Sequence, residues 1–86
     1  MDMASVEFHD LTRQRVVDLQ IPLYISCDEL VYALKKAYDL PIDLSDVTQI
    51  YMRSENPVGF IAGRETLESI GITHGTQIFF EPRRRL

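Results

Sequence analysis

The side chains best suited to covalent chemistry in this sequence are one cysteine and two histidines. Cys27 is predicted in the first turn of a helix, where the helix N-terminus lowers the pKa of a thiol and favours the reactive thiolate. A cysteine nucleophile also needs a general base within hydrogen-bond reach. His9 is predicted on a strand and His74 in a turn, and nothing in their spacing places either beside Cys27. We therefore expect no enzymatic activity and interpret Cys27 as a small residue tolerated at the start of the helix.

Carboxylates and glycines offer the other familiar sites, for metal ions and for phosphates. Asp43, Asp46 and Glu55 are the acidic residues that suggest cation binding, but they lack the alternating spacing of a calcium-binding loop. None of the four glycines belongs to a phosphate-binding loop ahead of a helix. We expect the glycines to form turns, and we expect neither a metal site nor a bound cofactor.

One long helix is predicted over residues 26–38. Ser26 can accept a hydrogen bond from the first turn, and Glu29 can reach back to the Ser26 N–H, which is the capping-box pattern. Apolar residues recur at helical spacing along one side, with acidic residues in the first turn and lysines in the last. Pro41 disfavours helical geometry in the residue before it. The apolar side of this helix requires a flat apolar surface to cover it.

Five segments are predicted to be β-strands, because apolar and polar residues alternate or β-forming residues lie between turn residues. Ala4, Val6 and Phe8 are predicted to face the core from the first strand, and Ile78 and Phe80 from the last. The predicted strands cover residues 3–9, 15–21, 48–53, 58–62 and 76–81, with a single helical turn over 65–70.

The order of these elements is hairpin, helix, strand, strand, helical turn and strand. A sheet with one helix across one face is an α+β layer arrangement. The helix lets the chain cross over the sheet, so the first and last strands are expected to be parallel central neighbours. This is the β-grasp, or ubiquitin-like, topology, with about five strands in a mixed sheet. We expect one domain over residues 1–86, with a core over 4–81 and a basic tail over 82–86.

Two aromatic residues are predicted on the outer face of this sheet. By strand alternation Tyr51 and Phe79 point away from the helix, and the third and fifth strands are neighbours in the β-grasp order. Such a pair forms a candidate protein-docking patch, bordered by His9 or Glu7 from the first strand. The alternatives are that one aromatic ring covers the sheet edge, or that the register differs by one residue.

Composition and charge exclude several classes of function. The net charge of −4 argues against general nucleic-acid binding, which needs a concentrated basic face. No apolar run approaches the roughly 20 residues that span a bilayer, and the N-terminus lacks the features of a signal peptide. One cysteine cannot form an internal disulfide. We therefore expect a soluble cytosolic protein without membrane insertion.

Residues 63–80, GRETLESIGITHGTQIFF, resemble the closing stretch of ubiquitin-like domains. In length, acidity and the Gly-Ile-x-x-Gly-x run at 71–76, the whole chain also resembles the YukD/EsaB family of small bacterial ubiquitin-like proteins. The resemblance implies a cytosolic accessory or regulatory factor of a type VII (WXG100/ESX) secretion system. It implies a protein partner in the membrane machinery, the secretion ATPase or a neighbouring component, and a binding surface on the sheet face.

The C-terminal residues bear on two further hypotheses. Conjugated ubiquitin-like modifiers end in Gly-Gly, whereas this chain ends in Pro-Arg-Arg-Arg-Leu, which disfavours a modifier or sulfur carrier as the alternative function. A regulatory domain of a larger signalling protein is a third hypothesis. Arg83, Arg84 and Arg85 can contact an acidic partner or lipid headgroups, at roughly 1 kcal/mol per residue near an anionic surface, or remain solvated.

Overall fold

The computed structural model describes residues 2–81, and its strands form a single sheet in the order β2-β1-β5-β3-β4. The pair β1 and β5 is parallel, and the other neighbouring pairs are antiparallel. The predicted α+β β-grasp architecture, a mixed sheet of five strands with one main helix, is therefore confirmed. The elements are β1 (Met3–Asp10), β2 (Arg15–Pro22), α1 (Cys27–Tyr38), a 3-10 helix (Val47–Gln49), β3 (Met52–Glu55), β4 (Gly59–Ile61) and β5 (Gln77–Phe80).

Strand alternation divides the sheet into an inner and an outer face. Along β1 the side chains of Ala4, Val6 and Phe8 are buried, and those between them are exposed or half-buried. The same alternation in β5 buries Ile78 and Phe80. The inner face packs under α1 in one apolar cluster, whose fully enclosed members also include Val31, Leu40, Met52, Ile61 and Leu67.

The helix begins and ends with the local interactions that its sequence predicts. The Ser26 hydroxyl accepts from the Glu29 N–H at 3.1 Å, and the Glu29 carboxylate accepts from the Ser26 N–H at 3.1 Å, so the capping box is complete. The chain leaves the helix through Asp39, which adopts a left-handed conformation with φ 51° and donates its N–H to the Lys35 carbonyl. In the described residues 2–81, no helix is long and apolar enough to span a bilayer.

The start of the third strand differs from the prediction. Residues 48–53 were expected to be extended, but Val47–Gln49 forms a 3-10 helix and β3 begins only at Met52. The cause is Asp46, whose carboxylate accepts from the Thr48 N–H at 3.0 Å and from the Thr48 hydroxyl at 2.6 Å. Short polar side chains of this kind compete with a strand by bonding to the nearby backbone.

The segment 65–70, predicted to form a single helical turn, forms hydrogen-bonded turns in which the Gly71 N–H donates to the Glu68 carbonyl at 3.0 Å. Another part of the chain also holds this segment. The Leu67 N–H donates to the Ile25 carbonyl, and the Glu68 N–H donates to the Leu23 carbonyl, each at 3.0 Å. These N–H groups are therefore satisfied by the segment that leads into α1 rather than within a helix. Leu67 is fully buried, as predicted, and fixes this segment to the core.

Asp10 is fully buried at the end of β1, one residue beyond the strand predicted over 3–9. Its carboxylate accepts from the Thr12 N–H at 3.1 Å, the Thr12 hydroxyl at 2.6 Å and the Arg13 guanidinium at 3.1 Å. Arg13 also donates to the carbonyl of Tyr38 at 2.8 Å and to that of Asp39 at 3.0 Å. This group, which we call the Asp10 clamp, joins the β1–β2 turn to the C-terminal end of α1.

The clamp keeps the Asp10 carboxylate ionised. Burial alone raises the pKa of Asp10, but the hydrogen bonds from Thr12 and the charge of Arg13 outweigh it and bring the pKa below its ordinary value. Arg15 adds a second cation, with its Nε 3.5 Å from the carboxylate. The negative charge and the two guanidinium groups therefore stabilise each other at neutral pH.

We predict that Asp10→Asn lowers the free energy of unfolding by about 2 kcal/mol at neutral pH, because the amide leaves Arg13 facing a poor partner. The folded-state pKa of Asp10 is depressed, so its contribution is complete above the unfolded-state value of about 3.9 and is lost as the pH falls through the folded value. Urea titrations across this range measure the difference. Asp2→Asn, at an exposed residue ahead of β1, is the matched control, expected within about 0.5 kcal/mol of the natural protein. A cost that does not depend on pH would contradict the role of the charge.

Candidate functional site

One row of side chains crosses all five strands on the outer face of the sheet. The strand register places His9 opposite both Val16 and Phe79, Phe79 opposite Arg53, and Arg53 opposite Phe60. Residues paired in this way share a face of the sheet. We call Val16, His9, Phe79, Arg53 and Phe60 the aromatic row. With strands about 4.8 Å apart, the row is about 19 Å long.

The centre of the aromatic row is held by stacking. The His9 ring lies 4.5 Å from the Phe79 ring, nearly parallel to it, and the Arg53 guanidinium lies 4.3 Å from the Phe79 centroid on the neighbouring strand. Cation–π contacts and aromatic stacking both favour this arrangement. Arg53 also donates to Glu55 at 2.9 Å and to Glu81, and these hydrogen bonds raise the pKa of the Arg53 guanidinium. Phe79 is therefore fixed between two neighbours.

A shallow groove of about 270 Å³ lies at the β3–β4 end of the row. Its lining consists of Tyr51, Arg53, Phe60, Phe79 and Glu81. The Tyr51 ring packs edge-on against the Phe60 ring at 5.8 Å. Phe60 is 69% exposed although it is a large aromatic residue on an edge strand. The groove thus presents aromatic surface to solvent beside an ion pair.

A second row of side chains runs parallel to the aromatic row on the same face of the sheet. Each of its residues lies two positions along a strand from a residue of the aromatic row. Glu7 of β1 lies opposite both Asp18 of β2 and Gln77 of β5, and Gln77 lies opposite Glu55 of β3. We call these four residues the acidic row. The Glu7 carboxylate accepts from Gln77 at 3.1 Å and lies 3.2 Å from the His9 Nε2, and these contacts lower the pKa of Glu7.

The structure brings most of the sequence-predicted docking residues onto this face. His9, Glu7 and Phe79 lie on neighbouring strands, and Tyr51 lines the same groove as Phe79. Tyr51 is nevertheless outside β3, and the residue directly opposite Phe79 is Arg53, so the expected side-by-side pair is interrupted by a cation. The predicted tail contacts, Arg83, Arg84 and Arg85, lie outside the described residues.

Six residues of the two rows were not among the predicted docking residues: Val16, Asp18, Arg53, Phe60, Gln77 and Glu55. Of these, Glu55 had been considered only for cation binding. The signal for Phe60 and Arg53 was present, because each precedes or follows a buried residue, Ile61 or Met52, and alternation puts it on the other face. Asp18 and Val16 follow from the alternation of β2 in the same way. Only the strand register, which the turn lengths and the clamp determine, aligns these side chains in rows.

The candidate catalytic groups do not meet. Cys27 is completely buried, and this burial raises the pKa of its thiol, with Asp28 and Glu65 adding to the effect, so the predicted lowering at a helix N-terminus is wrong. His74 accepts from the Ser5 N–H at 2.9 Å. His9 lies four residues further along β1, about 13 Å away.

The acidic loop residues are used to hold turns. Asp43 accepts from the N–H and the hydroxyl of Ser45, and Asp46 caps the 3-10 helix. Glu55 pairs with Arg53. Within residues 2–81, no group of three or more histidine, cysteine, aspartate or glutamate side chains is arranged to hold a metal ion.

Comparison with solved structures identifies the fold as ubiquitin-like. A protein designed de novo on the basis of ubiquitin is 19% identical, with a TM-score of 0.67 over 98% of this chain and 93% of that one. The C-terminal ubiquitin-like domain of mouse tubulin-specific chaperone e is 10% identical, with a TM-score of 0.67 and the same coverage of both chains. The ubiquitin-like domain of Plasmodium falciparum Dsk2 is 14% identical, with a TM-score of 0.61 over 90% of this chain and 96% of that domain. No protein-family model matches the sequence, and no curated protein is significantly similar to it.

We predict that Cys27 is inert in the folded protein, because its thiol is buried and its pKa is raised. Ellman's reagent should label the single cysteine only as fast as the chain unfolds, and the rate should rise steeply across a urea titration. Rapid stoichiometric labelling in native buffer would show that the thiol is accessible and would reopen a catalytic role.

Proposed function

We propose that this chain is a non-enzymatic protein-binding module that docks its partner on the outer face of the sheet. The proposal rests on the aromatic row, which crosses all five strands and is exposed at both ends, by 57% at Val16 and 69% at Phe60. Single exposed apolar residues are common on protein surfaces, but here the half-buried side chains of His9, Phe79 and Arg53 join the two exposed ends into one continuous row, which indicates an interaction site. Aromatic and arginine side chains are also the residues enriched at protein interfaces.

The stacking at the centre of the row supports the same function. Phe79 is held by His9 on one side and Arg53 on the other, and Arg53 is itself fixed by Glu55 and Glu81. Side chains that are already ordered lose little conformational entropy when a partner binds. The face is therefore suited to rigid docking on a sheet, rather than to folding of a loop around the partner.

We further propose that the module acts in the bacterial cytosol as an adaptor or regulatory component of a type VII secretion system. Its partner in this proposal is the cytoplasmic part of the secretion ATPase or a neighbouring membrane component. The support is the resemblance of the sequence to the YukD/EsaB family in length, acidity and the 71–76 run. Gly71 and Gly75 both have positive φ, 89° and 88°, so both glycines of that run also meet a requirement of the turn.

We predict that Phe60→Ala together with Phe79→Ala abolishes partner capture. The two substitutions remove the centre and one end of the aromatic row, and truncation of an interface hot spot costs about 2 kcal/mol or more of binding. The measurement is affinity capture from native cytosol and solubilised membranes, with the recovered secretion components quantified by mass spectrometry. Circular dichroism of the variant verifies that the fold is retained.

Tyr24→Ala is the matched control, because Tyr24 is an aromatic residue with 72% exposure that precedes α1 instead of lying on a strand. The proposal expects this control to recover the same components as the natural protein. Equal recovery by the Phe60 and Phe79 variant would move the binding site off the outer face. Covalent adducts of the chain, in place of a recovered secretion component, would favour the modifier hypothesis.

A further inference from the structure

Two acidic residues of the acidic row face each other across neighbouring strands. Glu7 and Asp18 are directly opposed on the antiparallel pair β1 and β2, so their carboxylates share one face of the sheet. Like charges at such positions destabilise a sheet. Glu7 has polar neighbours in Gln77 and His9, but among residues 2–81 Asp18 makes no ion pair. This arrangement has no evident structural benefit to the isolated domain.

Among residues 2–81, the one full positive charge on this part of the face is already neutralised. Arg53 is bonded to both Glu55 and Glu81, and it lies flat on Phe79. The Arg53 side chain therefore contributes stacking surface to the aromatic row, while the excess charge beside the row is negative. The aromatic row thus lies parallel to the acidic row. The two rows are about 7 Å apart, since two residues of a strand span that distance.

We infer that the partner segment is an amphipathic helix with lysine or arginine along one flank of its apolar stripe. The inference rests on the proposed function and specifies the chemistry of the partner at the same face. The apolar stripe of the helix lies on the aromatic row, and its basic flank lies over Glu7 and Asp18. One cation between these two carboxylates interacts favourably with both, so the negative charge of the acidic row favours the complex.

The geometry of the face favours a helix over an extended segment. The backbone groups inside the sheet are already paired, so a strand that lies on the face, instead of at an edge, leaves its own N–H and C=O groups without partners. A helix satisfies these groups internally. The aromatic row, about 19 Å long, matches about 13 helical residues lying across the strands. Its basic flank then runs along the acidic row.

The test uses two synthetic helical peptides of equal length with the same leucine and phenylalanine stripe. One peptide carries lysine and arginine on the flank and the other carries glutamate. Each is titrated at low salt into the isotope-labelled full chain, and amide chemical shifts report both the affinity and the binding surface. We expect the basic peptide to bind at least about fivefold more tightly, with shifts on β1, β5 and β3, and the difference to shrink at high salt.

Glu7→Gln with Asp18→Asn should remove most of this preference, since both substitutions keep the side-chain shape and delete the charge. Glu65→Gln with Glu68→Gln is the matched control: it deletes the same net charge from two exposed residues in the 65–70 turns, away from the sheet face. The control chain should retain the preference for the basic peptide. A preference lost equally in both variants would assign it to net charge and refute the acidic row.

The remaining outcomes separate the two proposals. Equal binding of both peptides to the outer face would refute a basic partner and leave the docking face intact. Shifts confined to the edge strands β2 or β4 would refute face binding by a helix and indicate strand addition. Absence of binding by either peptide would refute the helical partner, whereas the protein-binding function itself is tested by the capture experiment with the Phe60 and Phe79 variant.

Discussion

The backbone hydrogen bonds between β1 and β5 join two segments that are about seventy residues apart in the chain. The arrangement of side chains on the outer face depends on the single register in which these two strands pair. That register pairs Glu7 with Gln77 and His9 with Phe79. A shift of one residue would bring core side chains to the outer face. The two rows are therefore consequences of a single long-range pairing, which β2 and β3 extend on either side.

Further contacts stabilise the pairing of β1 with β5 at the end of the sheet where the aromatic row lies. The Leu11 N–H donates to the Phe80 carbonyl at 3.0 Å, directly beside the Asp10 clamp. The clamp ties the same turn to the last residues of α1 through Arg13, and Arg15 lies over the Tyr38 ring at 5.0 Å. These contacts join the hairpin, the end of α1 and β5 into one packed unit. The strand positions of Val16 and His9, at one end of the aromatic row, are therefore stabilised by contacts on the inner side of the sheet.

The sequence was sufficient for the elements whose signals are local. The Ser26 and Glu29 capping box and the alternation of β1 and β5 predicted the helix, the central strands and their order, because those signals lie within a few residues. The late start of β3 has a local cause, the hydrogen bonds of Asp46 to Thr48. Other features that the sequence did not indicate depend on a distant partner. Asp10 is buried because Arg13 spans to the carbonyls at the end of α1, and the 65–70 segment forms turns because Leu23 and Ile25 accept its N–H groups. The alignment of the aromatic row and the acidic row depends on the register of the strands, which no local sequence pattern specifies.

The most direct test of the account is side-chain footprinting by hydroxyl radicals on the free chain and on its complex with the captured partner. Phe60, Tyr51 and His9 report the outer face, whereas Tyr24 and Tyr32 are exposed elsewhere, before and within α1. The account predicts that oxidation of the first three falls in the complex while that of the two tyrosines is unchanged. Protection of Tyr24 and Tyr32, with the outer face still oxidised at its free rate, would contradict it.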